Sequence, residues 1–460
     1  SIRFKCVATP RNSKAYAVVA PTFPPPTIVI LYAISYNYIM MDEKKESQKT
    51  PEPQQIAATP AARYEDVLMR EAYQHIEKGE YEKASTILGD VLHRFGVTLA
   101  IDQKSVINSE LANIHFWLGD YASAQHFCQE ALIYGSNNDQ AYEILGKIAV
   151  MRFQFPVARA YFSRITYENP SRPLGLCLVS IKLRDILGAE SFLGEAARNL
   201  PPTNIELGVY RAYMILLKGD AKLAVQLSRE LLKKCSRWPG NNPFLLLLLA
   251  EIFMTSGNYG EAVALANQAG SHCPQNDHVF AIRAHAAYAE EDYNAARDYA
   301  EKSVEFNELN AYAKTVLMKL ACRDGHYDLA ESIGIRIISD SPEYSLGHAN
   351  LGDVYFSQER YALAQIEYEQ TQQLINSDTK GARLRQARLR FIAGDYNAAV
   401  TILEQLIEHQ HTYYDDAMCD LALCYDKLGD EENRKRVLDK MAFRKSFYHR
   451  TESILKSFQE

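Results

Sequence analysis

The sequence predicts an all-α protein, an α-solenoid of stacked antiparallel helix pairs. Two observations predict it: one short phrase recurs with a period in the thirties, and two positions beside each copy carry small side chains. A fixed period of this length marks a repeat array, whose units bury their apolar faces against one another. The 460 residues carry a net charge of −7 and are 47% hydrophobic, which is ordinary for a folded chain.

The recurring phrase is a glycine, a polar residue, an aromatic residue, two variable residues and an alanine. Full copies are GEYEKA (79–84), GDYASA (119–124), GNYGEA (257–262), GHYDLA (325–330) and GDYNAA (394–399). The aromatic slot holds Tyr81, Tyr121, Phe155, Tyr259, Tyr293, Tyr327, Tyr361 and Tyr396, with Ala221 in the same slot of one further unit. From Tyr259 onward the spacing between aromatic slots is 34, 34, 34 and 35 residues. Degenerate copies of the phrase are expected near Ala189 and Glu431. The pattern predicts about eleven units over residues 63–440.

Two small slots flank the aromatic, one nine residues before it and one three residues after it. Nine of the eleven residues in each slot are Ala or Gly. Small side chains allow two antiparallel helices to approach closely, and the aromatic then fills the space beside their turn. Each unit is therefore predicted to be a helix–turn–helix that must stack on its neighbours.

This pattern resembles the tetratricopeptide repeat family over residues 63–440. The resemblance rests on the period, the two small slots, the turn aromatic and the prolines that close some units. It implies a right-handed superhelix in which the first helix of each unit lines a concave groove. The copies near Ala189 and Glu431 depart from the pattern, because Phe192 and Arg434 occupy the second small slot there.

The most apolar stretch of the chain is Phe244–Met254, which only Glu251 interrupts. A helix needs about 20 apolar residues to span a bilayer, and this run has eleven. Pro243 before it and Gly257 after it suit the first turn and the end of a helix. We therefore expect the first helix of a central unit, covered by repeats on both sides.

No sequence motif indicates catalysis or a cofactor. Phosphate-binding, dinucleotide-binding, nucleophile-elbow and zinc-protease motifs are absent from the sequence, and repeats account for nearly every long segment. His409 and His411 near Asp415 and Asp416 have the spacing of no common metal site. The scattered cysteines are expected to be buried packing residues in a reducing compartment. We expect no enzyme activity, no cofactor and no bound metal.

The two ends of the chain differ from the array. Residues 1–41 contain no acidic residue and include the apolar run TIVILYAISYNYIMM (27–41). Three interpretations stay open: an extension upstream of a start at Met40 or Met41, a targeting peptide, or a membrane anchor. Residues 42–62 are predicted to be a disordered linker, and residues 441–460 a capping helix. The expected location is cytoplasmic, with membrane anchoring or organelle targeting through the N-terminal segment as the alternative.

A peptide-binding strip is predicted along the groove of the central units. In the family that the chain resembles, the residue eight positions before the turn aromatic faces the groove. At and near this row the central units carry large apolar side chains that are expected to contact a peptide or partner helix: Ile181, Tyr213, Leu216, Phe244, Leu247 and Met254.

Two arginines extend this prediction toward the C-terminal end. Arg385 and Arg388 are expected to face the groove and to orient an acidic peptide. The alternative is that they pair with Asp353 of the preceding unit and with Asp420 or Asp426 of the next. Both interpretations stay open from the sequence alone.

The leading functional hypothesis is a non-catalytic protein–protein interaction scaffold that binds a peptide or partner helix in the groove and organises a multiprotein complex. An alternative is a regulatory or substrate-recruiting subunit of an enzyme on a separate chain. A helical repeat that binds RNA is a minor alternative, because the net charge of −7 disfavours broad nucleic-acid binding. Membrane contact is expected only if residues 27–41 are an anchor.

Overall fold

Helix pairs follow one another through the whole described chain. The computed structural model describes residues 64–235, 242–272, 274–374, 380–408, 413–444 and 448–458, which lie in one contact unit of 62–460. These ranges contain 23 α-helices and no strand. The helices are α1 Tyr64–Glu77, α2 Tyr81–Phe95, α3 Ile101–Trp117, α4 Tyr121–Tyr134, α5 Asp139–Met151, α6 Phe155–Arg164, α7 Ser171–Leu183, α8 Ile186–Asn199, α9 Ile205–Leu217, α10 Ala221–Cys235, α11 Pro243–Thr255, α12 Tyr259–His272, α13 Asp277–Ala289, α14 Tyr293–Phe306, α15 Ala311–Arg323, α16 Tyr327–Asp340, α17 Ser345–Ser357, α18 Tyr361–Leu374, α19 Lys380–Ile392, α20 Tyr396–Leu406, α21 Tyr414–Leu428, α22 Glu431–Arg444 and α23 His449–Ser457.

The recurring phrase marks the turn inside each pair, and its residues have separate structural roles. The glycine adopts a left-handed conformation after the first helix, as Gly119 does with φ 76° and Gly394 with φ 78°. The polar residue caps the second helix: the side chain of Asp120 accepts a hydrogen bond from the backbone N–H of Ser123. The aromatic residue is the first residue of the second helix. The predicted all-α solenoid of antiparallel pairs is thereby confirmed.

Four units lack the turn glycine, and a larger residue takes its left-handed conformation. These residues are Phe153, Arg184, Glu291 and Glu359, with φ between 58° and 66°. A side chain in this conformation costs roughly 1–2 kcal/mol relative to glycine. The turn geometry is therefore maintained by packing within the array even where the sequence opposes it.

Small residues in the flanking slots are fully enclosed, as the helix approach requires. Ala84, Ala124 and Ala296 have no exposed surface. At Gly146, an added Cβ would lie 2.5 Å from the ring of Phe162, so even an alanine would force a shift. The slots were correctly read as points of close helix contact.

The fourth unit has a different register from the one predicted. Its second helix, α8, begins at Ile186, so Ile186 occupies the turn slot and Ala189 occupies the following small slot. Ala189 has no exposed surface, as the other small slots do. Its turn residue is aliphatic and its turn glycine is replaced by Arg184, so this unit lacks both residues that mark the turn in the recurring phrase. Positions counted from Ala189, including Ile181, are therefore displaced by three residues from the row in other units.

Distant units contact one another along a line that we call the seam, formed by Phe153, Phe155, His278, Ser341 and Tyr344. The turn of the third unit docks here against loops four to six units later. The Ser341 hydroxyl donates to the backbone oxygen of Phe153 at 2.8 Å, and the Phe153 and Tyr344 rings lie 5.2 Å apart. Units that are far apart in the sequence therefore pack against one another along the seam.

Three further contacts join units that are distant in the sequence. In the second unit, Phe116 packs on Phe244 with ring centroids 5.5 Å apart. In the C-terminal part, the ring of Tyr327 meets that of His449 at 5.9 Å, and Arg444 pairs with Glu291. The last helix, α23, therefore covers the final unit and also reaches the eighth. Residues 1–41 and 42–62, for which a separate origin and a linker were predicted, lie outside the described residues.

Candidate functional site: the inner wall

The first helices of the units form an inner wall, and its side chains contact units that are not neighbours in sequence. Lys147 of the third unit pairs with Glu206 of the fifth at 3.1 Å. Lys182 of the fourth unit donates to Glu251 of the sixth at 2.7 Å. Such contacts skip a unit, as expected for side chains on the concave side of a superhelix.

The predicted apolar strip is buried inside this wall. Ile181 is 1%, Leu216 3%, Phe244 4%, Leu247 2% and Met254 7% exposed. The physical reason is packing between units, as between Phe244 and Phe116 of the second unit. Peptide contact by this strip stays a prediction, and it would require these contacts to open.

Tyr213, the remaining strip residue, is half-buried and belongs to a polar cluster. Its hydroxyl donates to the Glu251 carboxylate at 2.9 Å, and the Lys182 Nζ lies 5.7 Å from its ring centroid. Burial, together with the negative charge of Glu251, raises the pKa of Tyr213 well above its ordinary value. The tyrosine therefore stays a neutral hydrogen-bond donor.

Arg388 is buried in the interior of the C-terminal units with three carboxylates around its guanidinium. Its nitrogens lie 2.8 Å from Asp353, 2.8 Å from Asp416 and 2.7 Å from Asp420. Burial opposes the charged form, but these carboxylates raise the pKa of Arg388 well above its ordinary value. The ion pairs with Asp353 and Asp420 are those of the alternative weighed from the sequence, whereas Asp426 pairs with Arg434.

Arg385 is 6% exposed and lies beside this cluster. It donates to Asp353 at 2.6 Å, to the amide oxygen of Asn350 at 3.1 Å and to the backbone oxygen of Ala349 at 3.2 Å. Acidic-peptide binding by Arg385 and Arg388 stays a prediction, and in the described conformation their hydrogen bonds go to the chain itself.

A small cavity of about 40 Å³ adjoins this cluster. Its polar lining comes from four units and includes Tyr288, Lys319, Asn350, Asp353, Tyr413 and Asp416. Lys319 lies eight residues before the turn aromatic Tyr327, whereas Tyr413 lies outside every repeat signal. Only the fold brings the two together, with the Lys319 Nζ 5.0 Å from the Tyr413 ring centroid.

Metal and thiol chemistry have little support in the described part of the chain. No group of three His, Cys, Asp or Glu side chains suited to a metal occurs there. His409 and His411 lie outside the described residues. Cys128 and Cys419 are buried and unpaired, and burial raises the pKa of each thiol to about 12. Thiols with so high a pKa are poor nucleophiles at neutral pH.

The front of the inner wall combines an exposed aromatic side chain with several half-buried polar ones. We define the front wall by Tyr73, Glu110, Gln140, Glu143 and Lys147 of the first three units. Tyr73 is 39% exposed, and the others are half-buried. Gln140 donates to Glu110 at 3.3 Å, and Lys147 pairs with Glu143 at 2.6 Å. Tyr73 and Lys147 each lie eight residues before a turn aromatic, Tyr81 and Phe155 respectively.

None of the helices in the described ranges combines the length and apolar character needed to cross a membrane. The longest apolar stretch, in α11, instead has eleven of its thirteen residues buried among neighbouring units. The expectation that this run belongs to the array is confirmed.

Comparisons with known proteins return similar folds rather than close relatives. No family model matches the chain, and no curated protein matches it. Cut9 in the APC/C hetero-tetramer Cut9–Hcn1 is 13% identical, with a TM-score of 0.41 over 83% of this chain and 87% of that chain. Yeast Tom70 is 13% identical, with a TM-score of 0.35 over 85% of this chain and 94% of that chain.

A third similar structure is the human IFIT1 dimer with PPP-AAAA, 15% identical, with a TM-score of 0.40 over 82% of this chain and 89% of that chain. Similarity at this level carries no argument about ligands or partners. The fold rests on the helices themselves, their paired packing and the turn residues that join them. This chain folds as a tetratricopeptide-like array of antiparallel helix pairs.

Proposed function

We propose that this chain is a non-catalytic scaffold that binds a protein partner on the front wall and so organises a complex. The observation that carries the proposal is the contrast along the inner wall. The first three units present the exposed ring of Tyr73 beside several half-buried polar side chains, whereas Ile181, Glu251 and Arg388 of later units are buried. Exposed aromatics within a polar surface are typical anchors of an interface.

The charge of the front wall favours a basic segment of the partner. Glu110, Glu143 and the adjoining Glu206 face a single cation, Lys147. Burial raises the pKa of Glu110, and its hydrogen bonds from Gln140 and Tyr73 only partly offset this. A lysine or arginine from a partner would supply the missing positive charge and steer the encounter.

Affinity purification with two matched variants tests the proposal. Tyr73→Ala combined with Glu110→Gln removes the aromatic anchor and the carboxylate from an open part of the wall. Phe443→Ala is the control, because Phe443 is 90% exposed on a distant helix. We expect the wild type and the control to capture the same partner and the double variant to lose it. Equal capture by all three would contradict the proposal.

The same purification distinguishes the alternatives. A constant stoichiometric enzyme among the captured proteins would support the regulatory-subunit hypothesis. Capture that disappears after ribonuclease treatment would support RNA binding, which the negative charge of the front wall disfavours. Partner loss that simply follows a lowered melting temperature of the double variant would count against a binding role of these two side chains.

A further inference from the structure

The interior cavity beside Arg388 holds one more positive charge than the carboxylates around it neutralise. Linked by their contacts, the cations of this region are Lys319, Arg323, Arg385, Arg388, Arg444 and Arg450, and the carboxylates are Glu291, Asp353, Asp415, Asp416 and Asp420. Among the described residues, six cations against five carboxylates leave one net positive charge in this region.

Among the described residues, Lys319 and Arg323 are the cations of this group that make no ion pair, and of the two only Lys319 lines the cavity. Its ammonium lies 5.8 Å from the Tyr288 ring centroid and 5.0 Å from that of Tyr413, and it lines the cavity. Among the described residues it has neither a hydrogen-bond acceptor nor an ion-pair partner. Asp353 and Asp416, which line the same cavity, are already bonded to Arg385 and Arg388.

The lowered pKa values of two neighbouring groups reflect the positive charge at this position. The charge of Lys319, together with that of Arg385, lowers the pKa of Tyr413 in spite of its burial. Burial, followed by the charge of Lys319, lowers the pKa of His285 to about 3, so His285 is neutral near pH 7. A half-buried ammonium without a counter-charge loses part of its hydration, and a bound anion would offset this loss.

We propose that this cavity binds one small monovalent anion of chloride size between Lys319 and Tyr288. The Tyr288 hydroxyl makes no hydrogen bond within the described chain, so it is a second donor beside the ammonium. A volume of about 40 Å³ accommodates such an ion. A single negative charge also matches the excess, which a divalent anion would overshoot.

The bound anion would connect the eighth unit to the seventh. Lys319 lies on α15, and Tyr288 lies on α13. Neutralising the ammonium removes the electrostatic cost of holding these units together. The anion is therefore expected to stabilise the closed interior, independently of any partner on the front wall.

Thermal unfolding of the full chain at constant ionic strength tests the proposal, with chloride replacing the larger gluconate ion stepwise. The melting temperature of the wild type should rise by about 1–3 °C for each tenfold increase in chloride above its dissociation constant. Lys319→Met should remove this response, and in chloride-free buffer this variant should melt at or above the wild type because the uncompensated charge is gone. Lys302→Met, at an exposed lysine on α14, should respond as the wild type does.

A milder variant covers the case in which Lys319→Met does not fold. Tyr288→Phe removes one hydroxyl and should shift the response to higher chloride concentrations. If the melting temperature of the wild type does not change with chloride concentration, the cavity holds only water and the proposal is overturned. An unchanged response in either Lys319→Met or Tyr288→Phe would place the anion elsewhere, which overturns it equally.

Discussion

The Ser341 hydroxyl donates a 2.8 Å hydrogen bond to the backbone oxygen of Phe153, which precedes it by 188 residues. This bond joins the turn of the third unit to the loop that opens the ninth. Solenoid units ordinarily contact only their neighbours, so their stability is nearly a sum of local contributions. A seam between distant units makes the unfolding of this array more cooperative.

The first prediction concerns the seam. Tyr344→Ala should lower the free energy of unfolding by about 3–5 kcal/mol, because Tyr344 is 5% exposed and packs on Phe153 and Phe155. Chemical denaturation measures this change. Phe443→Ala, which removes an exposed ring, should leave the unfolding curve within about 0.5 kcal/mol of the wild type. A Tyr344→Ala protein as stable as this control would mean that the seam does not form.

A second prediction concerns the strained turns. Glu359→Gly should raise the free energy of unfolding by about 0.5–1 kcal/mol, because φ is 59° at Glu359 and glycine adopts this conformation without strain. The greater flexibility of glycine in the unfolded chain offsets part of the gain. A suitable control is Glu369→Gly inside α18, which should destabilise by about 1 kcal/mol. If Glu359→Gly also destabilises, the turn is not left-handed in solution.

The third prediction is a pH dependence at Asp416. Burial raises the pKa of this carboxyl, but Arg388 and Arg450 outweigh burial and lower it below the ordinary value of 3.8. A lowered folded-state pKa contributes stability that is present above the unfolded-state pKa and is lost as pH falls through the folded-state pKa. Asp416→Asn should therefore be less stable than the wild type at pH 7.

The difference between Asp416→Asn and the wild type should shrink as pH falls below about 4. Denaturation curves from pH 7 to pH 2 measure this convergence. A difference that stays constant over the whole range would show that Asp416 is not ionised in the folded protein, contrary to its ion pairs with Arg388 and Arg450.

The fourth prediction concerns the apolar strip. Phe244→Ala should lower the free energy of unfolding by about 3–5 kcal/mol, because Phe244 is 4% exposed and packs on Phe116. Tyr213→Phe, which removes only the hydroxyl bonded to Glu251, should cost about 1–3 kcal/mol. If Phe244→Ala instead melts as the wild type does but loses its partner, the interior opens in solution and the strip binds as predicted.

The sequence by itself determined the repeat and its turns. The period, the small slots and the turn aromatic are local signals, because each reports a contact between two helices close together in the chain. Even the polar residue of the phrase has a local role, as Asp120 caps α4. The fourth unit was misplaced because Arg184 and Ile186 replace the glycine and the aromatic, and its helices form through packing on their neighbours.

Only the tertiary structure decided which side chains of the inner wall are buried and which of them pair. A superhelix closes through small rotations that accumulate from unit to unit, and no local pattern records their sum. The pairing of Phe153 with Ser341, and of Lys319 with the Tyr413 ring, follows from that accumulated rotation. The same closure buries Phe244, whose apolar side chain suited a binding strip and a packed interior equally well. Whether Phe244 lies in a binding strip or in a packed interior depended on the rotation accumulated over the whole array.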